Sequence, residues 1–236
     1  MLELDFHCHS SFSNCGCHSI LELLQQAKKL GLKGLAITDH GPGTGDHIPS
    51  TFFDRLHNPV PGITLLKGME CNLLRDKGKI DVLMNYLKYM DVVLLGIHPN
   101  TPTGMGQDLY TDYLLAAMEQ NLCIDIITHL NTPCYPVHFK VIAEAARRRG
   151  IAIELNNSKT DLGRATNEMT LFLIDCCKQA GTMMVVNSDA HALNEIGQDE
   201  AVRPLLKKAQ FPEELIVNFT YEKGLDFIQE RKILKK

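Results

Sequence analysis

Tryptophan is absent from these 236 residues, and aromatic side chains make up only 6% of them. A surface that stacks nucleic-acid bases needs aromatic platforms, and this composition offers few. No block of like charge stands out, and the formal net charge is −4. That balance supplies no electrostatic footprint for a polyanion, so no nucleic-acid partner is expected. Arg147, Arg148 and Arg149 adjoin one another, but they lie in a helical pattern and read as a solvated face. No apolar run approaches the roughly 20 residues that span a bilayer. The opening MLELDFHCHS lacks the basic region and apolar core of a signal peptide. No membrane association is expected, and a cytoplasmic location is. Thiols there are usually reduced, so the eight cysteines are expected to be free. Low-complexity segments, Gly/Ser linkers and internal repeats are missing too, which predicts one domain over residues 1–236.

What is present begins with a core. Hydrophobic residues make up 44% of the chain, and a chain of this size folds without a metal or disulfides. That bears on Asp5 to Ser19, DFHCHSSFSNCGCHS, which holds His7, His9 and His18 with Cys8, Cys15 and Cys17. The stretch could be a structural zinc knot, a redox pair, or one wall of a metal site built by the whole chain. An ample core weakens the first reading.

Apolar runs alternate with amphipathic ones. LELDF (2–6), GLAIT (34–38), GITLLKGME (62–70), DVVLLGI (91–97), IDIIT (124–128), IAIEL (151–155) and TMMVVNS (182–188) read as strands. Helices are predicted from Ser19 to a stop at Gly31, from Asp108, from Phe139 to Gly150 and from Thr166 to Gly181. A short helix is expected after the turn at Asp76 to Gly78, another from about Glu200, and a last short one after ELIVNF. The strand runs do not alternate cleanly, which marks strands buried on both faces of a parallel sheet. Strand and helix repeated about seven times define an α/β class. An open doubly wound sheet and a closed barrel both satisfy that pattern.

Each predicted strand delivers a polar group at its carboxyl end. In order these are His7 and His9, Asp39 and His40, Glu70, His98, His129, Glu154 with Asn156 to Ser158, and Asp189 with His191. In parallel α/β folds these ends share one face, where sites form. A single histidine beyond a strand is commonly a satisfied core or capping residue, and His47, His57 and His138 are left in that class. The joint pattern is different. Imidazoles and carboxylates crowded on one face are costly to desolvate unless a cation joins them. Imidazole plus carboxylate suits zinc, manganese or iron. His7 and His9 alternate along extended chain, so they point the same way and Cys8 points away. Asp189 and His191 can repeat that geometry. So many ligands exceed one ion's needs and imply two or three.

HCH at 7–9, ITDHGP at 37–42, GME at 68–70, GIH at 96–98, ITH at 127–129 and SDAH at 188–191 together resemble the PHP (polymerase and histidinol phosphatase) family, in its order and spacing. ELNNS at 154–158 fits its stand-alone YcdX-like phosphatases, and the match covers nearly the whole chain. The resemblance implies a distorted (β/α)7 barrel, TIM-like, with three divalent metal ions at the carboxyl ends of the strands. His7, His9, Glu70 and Asp189 would hold one ion. Glu70 would bridge to a second on His98 and His129, and a third would sit on His40 and His191. Glu70 and Asp189 are therefore the expected catalytic carboxylates. The family usually adds a histidine to the third ion where this chain has Cys15. Cys15 as a thiolate ligand is favoured, with His18 or an empty third site as alternatives. Cys17 is expected to be a bystander.

The implied activity is phosphomonoester hydrolysis of a small phosphorylated substrate by a hydroxide shared between ions. The alternatives are phosphodiester cleavage of the PHP type and a non-catalytic metal-binding regulatory module. An amidohydrolase ranks lower, since it would often want a metal-bridging lysine in the barrel and no lysine follows a strand suitably for that. HPNTPTGMGQDL, residues 98–109, is rich in Gly, Pro and Thr and is expected to form a lid.

Overall fold

The computed structural model describes residues 2–99 and 104–236. Its strands are β1 (Leu4–Asp5), β2 (Gly34–Ile37), β3 (Thr64–Asn72), β4 (Val92–Gly96), β5 (Ile126–Ile127), β6 (Ala152–Asn156) and β7 (Met184–Asn187). They form one sheet in sequence order, β1 to β7, and every neighbouring pair is parallel. The helices are α1 (Ile20–Lys29), α2 (Ser50–Asp54), α3 (Gln107–Gln120), α4 (Phe139–Arg149), α5 (Asn157–Asp161), α6 (Asn167–Ala180), α7 (Arg203–Ala209) and α8 (Tyr221–Arg231). Of the two topologies left open by periodicity, the molecule takes the barrel. Among the described residues no helix is long and apolar enough to cross a membrane.

Local chemistry accounts for the principal helices. Ser19 caps α1 by accepting from the Glu22 amide, and Glu22 reaches back to the Ser19 amide at 2.9 Å. α4 and α6 stop at Gly150 and Gly181, both left-handed, where glycine has no Cβ to clash. α7 begins at Arg203 rather than near Glu200, since Pro204 sits in its first turn, where a missing N–H costs nothing. α2 and α5 were not anticipated. Each has five residues, too few to show a helical period. β3 runs two residues past Glu70, to Asn72.

Two apolar layers hold the barrel. Leu35, Ile37, Met69, Val93, Leu95 and Ile153 face outward into the larger cluster with the helices. Leu4, Phe6, Ala36, Leu66, Val92, Leu94, Ile126, Ala152 and Val185 form the inner cluster, which α8 adjoins through Phe227 and Ile228. The seam between β1 and β7 closes mainly through side chains. Asn218 donates to the carbonyls of Leu4 (2.8 Å) and Val186 (2.6 Å) and accepts from the Val186 amide. Higher up, Asn187 Oδ1 accepts from the Phe6 amide at 3.1 Å. At the rim the backbones meet, where Cys8 bridges Ala190. That bridge lies between His7 and His9 on one side and Asp189 and His191 on the other.

Candidate metal centre

The inward parity of the strands leads straight into a polar cluster. Along β3 the inner positions are Leu66, Gly68 and Glu70; along β6 they are Ala152, Glu154 and Asn156; at the end of β7 and just past it they are Asn187 and Asp189. β1 breaks step after Phe6. Buried Asp5 accepts from the amides of His7, Ser188 and Gly197 and from the Ser188 hydroxyl, which kinks the chain. As a result His7 and His9 both turn inward, and Cys8 joins the outer apolar layer. Gly96 is needed nearby: an added Cβ would lie 2.5 Å from the His98 ring and 2.6 Å from Thr128 Oγ1.

Glu70 is the hub. Its Oε2 lies 3.2 Å from His7 Nε2, 3.5 Å from His9 Nε2 and 3.0 Å from His40 Nδ1. Its Oε1 lies 3.2 Å from His98 Nε2 and 3.0 Å from His129 Nε2, and accepts from Thr128 Oγ1 at 2.8 Å. Asp189 Oδ1 lies 3.3 Å from His7 Nε2 and 3.2 Å from His9 Nε2. His7 Nε2 and His9 Nε2 are 3.1 Å apart, and His98 Nε2 and His129 Nε2 are 3.2 Å apart. Metal–ligand bonds of about 2.0–2.2 Å place neighbouring donors about 3.0–3.5 Å from one another. The spacings in this cluster are the edges of such coordination polyhedra.

The other face of each ring fixes which nitrogen carries the proton. His7 Nδ1 donates to Glu154 Oε1 at 2.7 Å, and His98 Nδ1 to Asn72 Oδ1 at 2.7 Å. Ser13 gives its hydroxyl proton to Asp39 at 2.7 Å, so its oxygen accepts from His9 Nδ1 at 3.3 Å. The Nε2 atoms of His7, His9 and His98 thereby point inward at Glu70; burial opposes charge on the His7 ring, but without a cation there Glu70, Glu154 and Asp189 hold it protonated. Glu70 Oε2 and His40 Nδ1 are buried without a hydrogen-bond partner among the described residues. Lone pairs facing a carboxylate at this range repel unless a cation stands between them. The donor set fits divalent ions.

Backbone strain collects here as well. His129 (φ 31°) and Asp189 (φ 55°) both adopt left-handed conformations. A sequence profile of the PHP domain matches residues 5–158. The chain belongs to the PHP family. A probable phosphatase of Shewanella sediminis is 33% identical over 97% of this chain and 94% of its own length. A probable phosphatase of Proteus mirabilis is 34% identical over 97% of this chain and 95% of its own. The histidinol phosphate phosphatase of Lactococcus lactis, solved with zinc, L-histidinol and phosphate, shares the fold at 19% identity. The TM-score is 0.68, over 89% of this chain and 94% of that one.

Among the described residues of this PHP chain three donor groups lie close enough to share ions: His7, His9 and Asp189; His40, Glu70 and His98; and His9, Cys15, His40 and His191, each within 4.8 Å. His129 joins the second through Glu70 Oε1. The last group brings Cys15 inward from an exposed loop. Burial alone would push its thiol up, but hydrogen bonds to His191 and His40 outweigh it and bring it to about 7. His191 Nδ1 bonds the Asp189 carbonyl at 2.8 Å, which leaves Nε2 as its donor atom. His18 enters none of these groups. His138 pairs with Asp108 on the surface, away from the cluster.

One lysine reaches the centre as a charge partner and not as a metal bridge: Lys159, in α5 just beyond β6, places Nζ 2.8 Å from Asp189 Oδ2. Asn156 makes this possible by capping α5, its Oδ1 accepting from the Lys159 amide at 2.9 Å. Burial would raise the Asp189 carboxyl, but His7 and Lys159 hold it well below the usual carboxylate range. The same opposition, with His7, His98 and His40, depresses Glu70. Glu154 was recognised as a strand-end residue, yet its four hydrogen bonds could not be read from its position. Of the expected lid, residues 100–103 lie outside the described residues; α3 begins at Gln107, one residue earlier than predicted.

Proposed function

We propose that this protein is a metal-dependent phosphomonoesterase acting on a small phosphorylated molecule, with its chain forming one domain. The observation that carries the reading is the convergence of imidazole lone pairs on Glu70 and Asp189 at coordination-edge spacing. The phosphatase names of full-length PHP relatives support it, as does the zinc and phosphate held by the Lactococcus protein. In this reading His7, His9, Glu70 Oε2 and Asp189 Oδ1 would hold one divalent ion. Glu70 Oε1, His98 and His129 would hold a second, and His40, His191 and Cys15 a third, with zinc favoured and manganese or iron as alternatives. Bound there, such ions acidify water and neutralise charge on a phosphoryl group. The chain's own part is positional. Glu70 would serve both positions, since its Oε2 faces His7 and His9 and its Oε1 faces His98 and His129. Glu154, Asn72 and Ser13 hold the rings in the binding tautomer. Burial of the cluster removes competing water, which strengthens every charge interaction inside it.

Removing metal tests this directly. Chelator-treated protein is expected to lose p-nitrophenyl phosphate turnover and to regain it with zinc, manganese or iron. No metal-dependent release, with His7→Ala equal to wild type, would overturn the reading. Turnover of labelled single-stranded DNA in place of the monoester would favour the phosphodiesterase. Full metal content with no turnover on either would favour a regulatory module.

Cys15 has its own signature. Cobalt-substituted wild type is expected to show a sulfur-to-cobalt charge-transfer band in the near ultraviolet, and Cys15→Ser to lack it with about one ion fewer per chain. An identical spectrum in the variant would remove Cys15 from the third position.

A further inference from the structure

Glu154 is wholly buried and lies in none of the donor groups. Its Oε1 accepts from His7 Nδ1 at 2.7 Å and from Asn187 Nδ2 at 2.9 Å. Its Oε2 accepts from the His129 amide at 3.0 Å and from Asn156 Nδ2 at 2.8 Å. The two oxygens thus reach two different halves of the centre. On one side the bond decides that His7 carries its proton on Nδ1, which frees Nε2. On the other it tethers the amide of His129, whose backbone is held at φ 31° while its ring meets Glu70 Oε1. We infer that Glu154 is a positioning residue that sets the His7 and His129 ion positions together, so that both depend on one carboxylate. The inference rests on the metal-dependent reading above.

The chemistry of the group explains why a carboxylate stands here. All four partners are donors, and an ionised carboxylate accepts on both oxygens. An amide of the same shape cannot. If Glu154→Gln turns its oxygen toward His7, its NH2 faces the His129 amide, donor against donor. If it turns the NH2 toward His7, Nδ1 must accept. The ring proton then moves to Nε2, and the lone pair aimed at the ion is lost. Whichever way the amide settles, one of the two positions is damaged at nearly constant volume. Loss of such a supporting partner typically weakens metal affinity about 10- to 100-fold.

Two measurements test this, neither of which requires turnover. The first is zinc titration of metal-free wild type and Glu154→Gln by calorimetry, with circular dichroism as the check of fold. The variant is expected to bind zinc about 10- to 100-fold more weakly at the His7 or His129 position, while the cobalt–thiolate band of Cys15 persists. Unchanged affinity and stoichiometry at all positions would overturn the inference. The second is long-range 15N–1H NMR of the histidine rings in zinc-loaded wild type, which holds even if the variant fails to fold. His7 is expected as the Nδ1–H tautomer, and finding it as Nε2–H would equally overturn the inference. If wild type binds zinc as described but hydrolyses no phosphomonoester, the phosphatase reading fails and this one stands.

Discussion

Glu70→Gln is expected to lower kcat/KM for p-nitrophenyl phosphate by about a thousandfold or more, with a matching drop in bound metal. Among the described residues Glu70 is the one carboxylate that meets imidazoles on both of its oxygens, with His7, His9 and His40 on Oε2 and His98 and His129 on Oε1. An amide keeps the shape but not the function. Its nitrogen carries hydrogens and cannot donate a lone pair, so one ion position loses its shared ligand whichever way the amide turns. A metal ion supplies several kcal/mol of transition-state stabilisation, and each 1.36 kcal/mol is about tenfold in rate. Elemental analysis alongside steady-state kinetics checks both halves. A variant within tenfold of wild type and fully loaded with metal would show that Glu70 is not the hub.

Asp189→Asn is expected to abolish turnover and also to weaken the metal-free fold. The substitution is conservative for the backbone, since Asn and Asp both tolerate the left-handed φ of 55° found here. What changes is charge. Oδ1 faces His7 and His9, while Oδ2 holds the Lys159 ammonium at 2.8 Å and accepts from Asn156 Nδ2 at 3.0 Å. The variant strands that ammonium in a largely buried place. Breaking one side of a buried pair costs about 3–5 kcal/mol, and the 16% exposure of the Lys159 side chain points to the lower end. Urea denaturation of metal-free Asp189→Asn, Lys159→Met and the double variant isolates the pair. The double variant is expected to recover much of the stability and none of the activity. Wild-type stability in Asp189→Asn would contradict the buried pair, and wild-type turnover would contradict the ligand role.

Much of this centre was legible because each strand announces itself locally. Val, Ile and Leu in runs such as DVVLLGI mark buried parallel strands, and the residue after each run can be named by counting. The side chains of His7, His9, His40, Glu70, His98, His129, Asp189 and His191 converge beyond those strands, and Cys15 lies with His40 and His191. The short helices α2 and α5 were not legible, since five residues carry no period. Missing α5 concealed Lys159, whose side chain reaches Asp189 only because a helical turn follows β6 at once.

The residues alone determined an α/β chain of seven parallel strands with a ring of imidazoles and carboxylates at their carboxyl ends. Those features follow from hydrophobic spacing over a few positions. Tertiary structure decided what each of those groups does. Closure of β1 against β7 by Asn187 and Asn218, the pairing of Lys159 with Asp189, and the bonds from Glu154 to His7 and His129 join residues tens to hundreds of positions apart. Such bonds depend on distance and direction in space, which no local pattern encodes.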